Sequence, residues 1–266
     1  MIKDNQDNKN KTVLITGATS GIGYELSRLF AQNGFNLVLV ARNKQRLEQR
    51  ASELKSEFGI VTTPISRDLS VPTSPEEIFA ELQRRSIHIN ILVNNAGFNV
   101  WGPFFETDLS EELRMIHTNL VSLTHLTKLF ISEMLKRGSG KILNVGSTGS
   151  FVPGPLNAVY CATKGYILSF SEAIAAELKG TGVSVTTLCP GATRTEFAAR
   201  AQMKDVRLFH FGTMDAETVA KIGYRGLMKG KRTVIAGLFN KLQILSIRFT
   251  PRGLSSILVK YLMEKR

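Results

Sequence analysis

In the stretch NAVYCATKGY, residues 157–166, Tyr160 and Lys164 stand four positions apart. That is just over one helical turn, so phenol and ammonium share a face. A free tyrosine holds its proton up to a pKa near ~10, and a neighbouring ammonium lowers that value by stabilising the phenolate. A phenol so tuned can give a proton to a carbonyl oxygen, or take one from an alcohol in the reverse direction. Ser147 ends the apolar run KILNVGS, thirteen residues before Tyr160. Its hydroxyl can hydrogen-bond an oxygen on which negative charge develops. Spacing alone does not establish a site. YLMEK repeats it in Tyr261 and Lys265 with no strand-end serine before it, and that pair reads as solvated or interfacial.

A second chemical element lies near the N-terminus. TGATSGIG (16–23) follows the strand-like run TVLIT and opens the helical segment GYELSRLFAQNG. In a strand–turn–helix context these glycines read as a dinucleotide cradle. Gly17 permits the tight turn, while Gly21 and Gly23 admit a pyrophosphate and close helix packing, with Thr19, Ser20 and Ile22 between them. The helix start adds free N–H groups and a positive dipole end. The next strand ends in ARNKQR, with no carboxylate to hold an adenosine ribose and with Arg42 in its place. A guanidinium there pairs with a 2′-phosphate, assisted by Asn43 and Arg46, so NADP(H) is expected over NAD(H).

The elements around these residues alternate. Apolar runs at 12–16, 36–41, 60–66, 89–97, 141–147, 183–191 and 232–237 are separated by segments of helical period. Pro64 marks the third run as an edge or bend. Ser74 followed by Pro75 reads as an N-cap, and long helices are expected over 110–137 and 156–179. The alternation predicts an α/β chain: a single-domain Rossmann fold, with a doubly wound parallel seven-stranded sheet and helices on both faces. Residues 1–10 read as a disordered polar tail, 11–237 as the Rossmann domain, and 238–266 as a basic amphipathic helical extension of it.

TGATSGIG, NNAG (94–97), Asn119, Ser147, YCATK (160–164) and PGATRT (190–195) occur in the order of the short-chain dehydrogenases/reductases, which this chain resembles from residue 12 to about 200. The resemblance implies that Asn119, Ser147, Tyr160 and Lys164 are catalytic. Asn119 would hold a water that relays protons towards Lys164, and Lys164 would also hold the nicotinamide ribose. It places Asp68 and the backbone of Leu69 against the adenine, and Asn95, Ala96 and Gly97 beside the adenosine ribose. Pro190 and Gly191 would turn the chain under the nicotinamide, with Thr193 and Thr195 at the carboxamide and pyrophosphate. The implied reaction is hydride transfer from NADPH to a carbonyl carbon, with Tyr160 as general acid. The implied assembly is a homodimer or homotetramer built on the two long helices. A non-catalytic NADP-binding regulator of the same fold is the alternative, and the complete four-residue set argues against it.

Composition narrows the setting. Hydrophobic residues are 43% and charged residues 21% of the 266, as for a globular protein. No apolar run reaches spanning length, the first residues have no apolar core of a signal peptide, and Cys161 and Cys189 form no metal-type cluster. His88, His117, His125 and His210 show no ligand spacing, so no metal is expected, and the chain is expected to be cytoplasmic. The net charge of +12 is concentrated between Lys221 and Arg266, where eleven Lys or Arg face one acid, Glu264. In that region Leu242, Leu245, Ile247, Phe249, Leu254, Ile257, Leu258, Tyr261 and Leu262 alternate with Lys241, Arg248, Arg252 and Lys260, broken at Pro251. Three roles fit: a lid over an apolar pocket, a subunit contact, or a helix on an anionic membrane surface. Packing against the domain is favoured, with 208–214 helping to wall a pocket for a lipophilic carbonyl or alcohol substrate. No specific nucleic-acid contact is expected.

Overall fold

The computed structural model describes residues 8–210 and 212–265. Of the polar tail expected over residues 1–10, the first seven lie outside the described residues. Asn8 and Lys9 are held: the Asn8 amide donates to the Asn33 carbonyl, and the Lys9 carbonyl accepts from Asn36.

Among the described residues nine strands form: β1 Thr12–Thr16, β2 Asn36–Ala41, β3 Thr62–Ser66, β4 Ile91–Asn94, β5 Gly140–Val145, β6 Val183–Cys189, β7 Thr193–Arg194, β8 Met214–Asp215 and β9 Thr233–Ile235. The main sheet has seven, all parallel, in the order β3-β2-β1-β4-β5-β6-β9. Strand order reverses between β1 and β4, which opens a crevice at the C-terminal ends of the strands. β3 is the edge strand, so Pro64 removes no ladder bond from the sheet interior. The short parallel pair β7–β8 stands outside this sheet and was not visible in the sequence pattern, because two residues have no period.

The helices are α1 Gly21–Gln32, α2 Lys44–Phe58, α3 Ser74–Arg84, α4 Leu109–Ile116, α5 Ser122–Lys136, α6 Ala158–Glu177, α7 Glu196–Arg200, α8 Ala216–Met228, α9 Leu238–Ile247 and α10 Arg252–Met263. Side-chain alternation divides each central strand between two layers. Val13, Ile15, Leu37 and Leu39 pack with Leu26, Phe30, Leu47 and Val219 on one face. Leu14, Val38 and Val40 pack with Ile78, Leu126 and Phe130 on the other. Fully buried side chains such as Phe30 are worth roughly 1.5–3 kcal/mol each, which sets the sheet as a rigid floor under the crevice.

Two local expectations change. Thr73, not Ser74, is the N-cap of α3, and the Ser74 hydroxyl instead donates to the Asp68 carbonyl at 2.7 Å. The helix expected over 110–137 is interrupted by a π-helical turn, His117–Val121, between α4 and α5. Asn119 sits in that turn, and such turns widen a helix where a side chain must be re-aimed.

Candidate active site

Each chemical residue is held by an element end. The glycine turn follows β1, with Gly17 at φ 67° and Gly21 at φ 54°. A Cβ on Gly21 would meet the Thr195 side chain at 3.0 Å, and one on Gly23 would lie 2.3 Å from both the Asn95 amide and the Gly17 carbonyl. Ser20 stands at the N-cap of α1 without its side chain capping an amide. The first-turn N–H groups, and the space left by absent side chains, therefore suit an anionic group of pyrophosphate size.

NNAG follows β4 and is fastened to this turn. The Thr16 hydroxyl accepts from the Asn95 and Ala96 amides at 3.0 Å, and the Asn95 side chain donates to the Thr16 carbonyl at 2.9 Å. Asn119 is fully buried, and its side chain clamps the next residue: Oδ1 accepts from Phe98 N at 3.1 Å and Nδ2 donates to Phe98 O at 3.0 Å. That side chain thereby sets the loop beside β4.

Ser147 lies just past β5, where its Oγ accepts from Gly149 N at 3.0 Å and caps a short 3-10 turn, Thr148–Phe151. Ser150 in that turn donates to the Lys164 carbonyl at 2.7 Å, tying the serine loop to α6. Lys164 is 5% exposed. Its Nζ donates to the Val145 carbonyl at 2.8 Å and lies 5.6 Å from the centre of the Tyr160 ring.

The electrostatics differ from the expectation of an ammonium lowering a phenol. Burial raises the Tyr160 phenol above its ordinary value, opposed by a hydrogen bond with Ser147. Burial lowers the Lys164 ammonium to about 8. Each charged form loses hydration at this depth, and desolvation is the largest influence on both.

One cleft of about 500 Å³ brings these groups together. Its lining includes Gly17, Thr19, Ser20, Gly21, Ile22, Arg42, Asn43, Asp68, Leu69, Asn95, Ala96 and Gly97, together with Ser147, Tyr160, Lys164, Pro190, Gly191, Thr193 and Thr195. Gly23 and Asn119 support the lining from behind. Thr193 Oγ1 donates to the Gly191 carbonyl at 2.9 Å, and Thr195 caps α7 by accepting from Phe197 N. At the outer end Arg42 lies 3.9 Å from Asp68. Burial alone would raise the Asp68 carboxyl; hydrogen bonds from Ser70, with Arg42 and Arg114 nearby, instead hold it below its ordinary value.

Arg46, expected to assist Arg42, is engaged elsewhere. Its guanidinium grips Glu196 in a two-pronged pair at 2.9 and 2.5 Å across the cleft mouth. Hydrogen bonding from Arg46, with Arg200 adding to it, holds the Glu196 carboxyl down to about 2.

Several lining residues carried no sequence signal. Asn99 is buried, donates to Asn157 Oδ1 at 2.6 Å, and leaves its own Oδ1 without a partner among the described residues. Phe197 sets its ring 5.7 Å from that of Tyr160. Met203 joins them, beside Leu208 and Phe209 of the 208–214 segment and Met263 of the C-terminal extension, which the sequence had marked as a pocket wall. An isolated Asn before a helix could have been flagged as a cap, but nothing local links it to Asn99 fifty-eight positions away.

The C-terminal segment packs against this wall. Trp101 Nε1 donates to the Met263 carbonyl at 2.9 Å, Val206 bridges Lys265, and Arg207 pairs with Glu264 at 3.1 Å. The repeated Tyr–Lys spacing resolves here. Arg207 lies over the Tyr261 ring at 4.2 Å and Lys265 over the Trp101 ring at 4.8 Å, so the two residues serve different partners. A second cavity of about 220 Å³ lies under α9 and α10. It shares Thr148, Gly149, Cys161, Ala192, Leu208 and Met263 with the main cleft.

Comparison with known proteins places these features in a family. The family model described as short chain dehydrogenase matches residues 11–205. Sulfoacetaldehyde reductase 2 of Chromohalobacter salexigens is 35% identical over 187 residues, covering 70% of this chain and 73% of that protein. A short-chain dehydrogenase from Sphingobium yanoikuyae, solved in complex with NADPH, superposes with a TM-score of 0.82 at 32% identity. The match covers 92% of this chain and 94% of that one. The bulky-bulky ketone specific alcohol dehydrogenase of Comamonas testosteroni gives 0.76 at 30% identity, over 90% and 93%.

Proposed function

The chain belongs to the short-chain dehydrogenase family, and from that premise we propose that it is an NADPH-dependent reductase of lipophilic carbonyl compounds. At the coarser level it is an oxidoreductase acting on CH–OH or C=O groups with a nicotinamide cofactor. The observation carrying the finer reading is one cleft lined both by the anion cradle and by Ser147, Tyr160 and buried Lys164.

The bound cofactor supplies the hydride, and the chain's own residues do the remaining work. The glycine turn and the start of α1 hold the pyrophosphate, and Arg42 meets the 2′-phosphate. Ser147 donates a hydrogen bond to the substrate oxygen as charge grows there. Tyr160, kept protonated by its burial, gives that oxygen its proton. Lys164 lies on the inner side of the phenol and holds the ribose. Asn119 acts through the Phe98 backbone, as a positioning residue. Phe197, Met203, Leu208 and Met263 favour an apolar substituent on the substrate, and the preference for bulky ketones of the Comamonas relative is consistent with this. The exposed Leu113, Leu135 and Tyr166 on α4, α5 and α6 fit a homo-oligomer contact.

The deciding experiment is oxidation of NADPH against a panel of aldehydes, bulky ketones and 3-oxoacyl thioesters. Wild type is expected to turn over the apolar ketones or thioesters. Tyr160→Phe should lose at least ~10²-fold in kcat with NADPH affinity retained, and undiminished turnover would remove the proton-transfer role. Arg42→Asp is expected to lower the NADPH-to-NADH efficiency ratio by about tenfold or more, roughly 1.4 kcal/mol. An unchanged ratio would leave the phosphate role without support.

A further inference from the structure

α9 and α10 each carry two apolar faces. On α9, Leu238, Leu242 and Leu245, with Phe249 just beyond, follow the spacing of a single helical stripe and are 53–82% exposed. On the opposite side Asn240, Gln243, Ile244 and Ile247 line the second cavity. On α10, Leu254, Ile257, Leu258 and Tyr261 form an exposed stripe, while Val259, Leu262 and Met263 line the same cavity from within. A surface helix ordinarily has one apolar stripe and a polar remainder. Two consecutive helices with bulky apolar side chains turned outward are made to be covered on that side too.

The charges identify what covers them. Lys241, Arg248 and Lys260 are exposed on and just beyond these helices, whereas the exposed Lys229, Lys231 and Arg232 precede β9 at its other end. Glu264, the one acid between Lys221 and Arg266, is already paired with Arg207. A second copy seated face to face would bring Lys241, Arg248 and Lys260 against their own like charges, with no acid to meet them, which repulsion opposes. A nucleic-acid backbone would satisfy the bases but leave eight exposed Leu, Ile, Phe and Tyr side chains against phosphates. A bilayer carrying anionic lipid satisfies both, taking the apolar stripes into its acyl boundary and the basic rim at its headgroups.

We propose that the α9–α10 face docks on anionic lipid bilayers and that the cavity beneath it admits the apolar part of a membrane-dissolved substrate to the cleft. Phe239, 67% exposed, lines that cavity and marks its outer edge. Met263, Leu208 and Cys161 line both cavities, so an acyl or terpenoid chain entering from the bilayer side reaches the wall beside Tyr160. The substrate part rests on the reductase reading; the docking part does not.

The test is co-sedimentation of the full chain with phosphatidylcholine vesicles, with and without phosphatidylglycerol. Wild type should bind the anionic vesicles and release with salt. Lys241→Gln/Arg248→Gln/Lys260→Gln should weaken binding by about a hundredfold, from roughly fivefold per basic side chain. Leu242→Ser/Leu258→Ser should lose binding while keeping its circular dichroism. Tyr160→Phe should bind as wild type, so lost turnover and lost docking are read separately. No binding at low ionic strength, equal binding to both vesicle types, or a dimer in solution that Leu242→Ser/Leu258→Ser converts to monomer would each overturn the proposal. Activity on a long-chain ketone should rise when anionic vesicles carry it, and equal rates from neutral vesicles would sink the delivery route alone.

Discussion

Tyr160 and Lys164 illustrate how burial changes a simple charge argument. A helical turn brings them to one face, but the ammonium is spent on the Val145 carbonyl and is out of water, while the Tyr160 ring is partly buried in the cleft wall. Each is pushed towards its neutral form, the phenol upward and the amine to about 8. A protonated phenol at neutral pH suits a proton donor, and a desolvated ammonium costs stability. The sign follows from linkage: below about 8 both folded and unfolded chains carry this charge, and only the folded chain bears the desolvation. Between there and the free-lysine value near ~10.4 the unfolded chain binds the extra proton, so this group's penalty fades as pH rises. Lys164→Met is therefore expected to lose turnover yet gain about 1–3 kcal/mol at pH ~7, by urea denaturation. The gain should shrink towards pH ~10; a destabilised variant at neutral pH would contradict the burial argument.

Among the elements, the β1–α1 turn is positioned by what it lacks. Gly23→Ala would drive a Cβ against the Asn95 amide and the Gly17 carbonyl. It is expected to cost about 1–3 kcal/mol and to weaken NADPH binding at least tenfold, about 1.4 kcal/mol, by fluorescence titration. Gly59→Ala supplies the comparison, being left-handed at φ 66° with open space around it. It should cost about 1 kcal/mol and leave binding intact; equal effects of the two would deny the cradle its steric basis. The alternation of strands and helices, the glycine turn and the edge position of β3 were all legible, because period and punctuation act locally. The π-turn at Asn119 was not, since the clamp of its side chain on Phe98 joins residues 21 positions apart. Ser74 lost its expected capping role to a nearby contact instead: Thr73 takes the N-cap, and the Ser74 hydroxyl donates to Asp68 O.

For the molecule as a whole, the C-terminal segment is fastened to the wall of the cleft through Trp101, Arg207 and the Val206 bridge. No described helix is long and apolar enough to cross a membrane. Trp101→Phe keeps the ring under Lys265 but deletes the hydrogen bond to Met263. Loss of a bond worth about 1 kcal/mol corresponds to about fivefold. KM for bulky ketones should rise by that factor, with small aldehydes unaffected in steady-state assays. A uniform change across both substrate sizes would show that the segment does not shape the pocket.

Read as a linear string, the chain already declares its parallel sheet, its glycine turn, Arg42 in place of a carboxylate, and the order of Asn119, Ser147, Tyr160 and Lys164. Those features depend on neighbours within a turn or a strand. Folding alone assigned Arg46 to Glu196, Asn99 to Asn157, and Tyr261 and Lys265 to separate partners. It also turned the two desolvated groups of the site towards neutrality. Contacts made across many tens of residues, and the loss of water that accompanies them, leave no periodic trace along the chain.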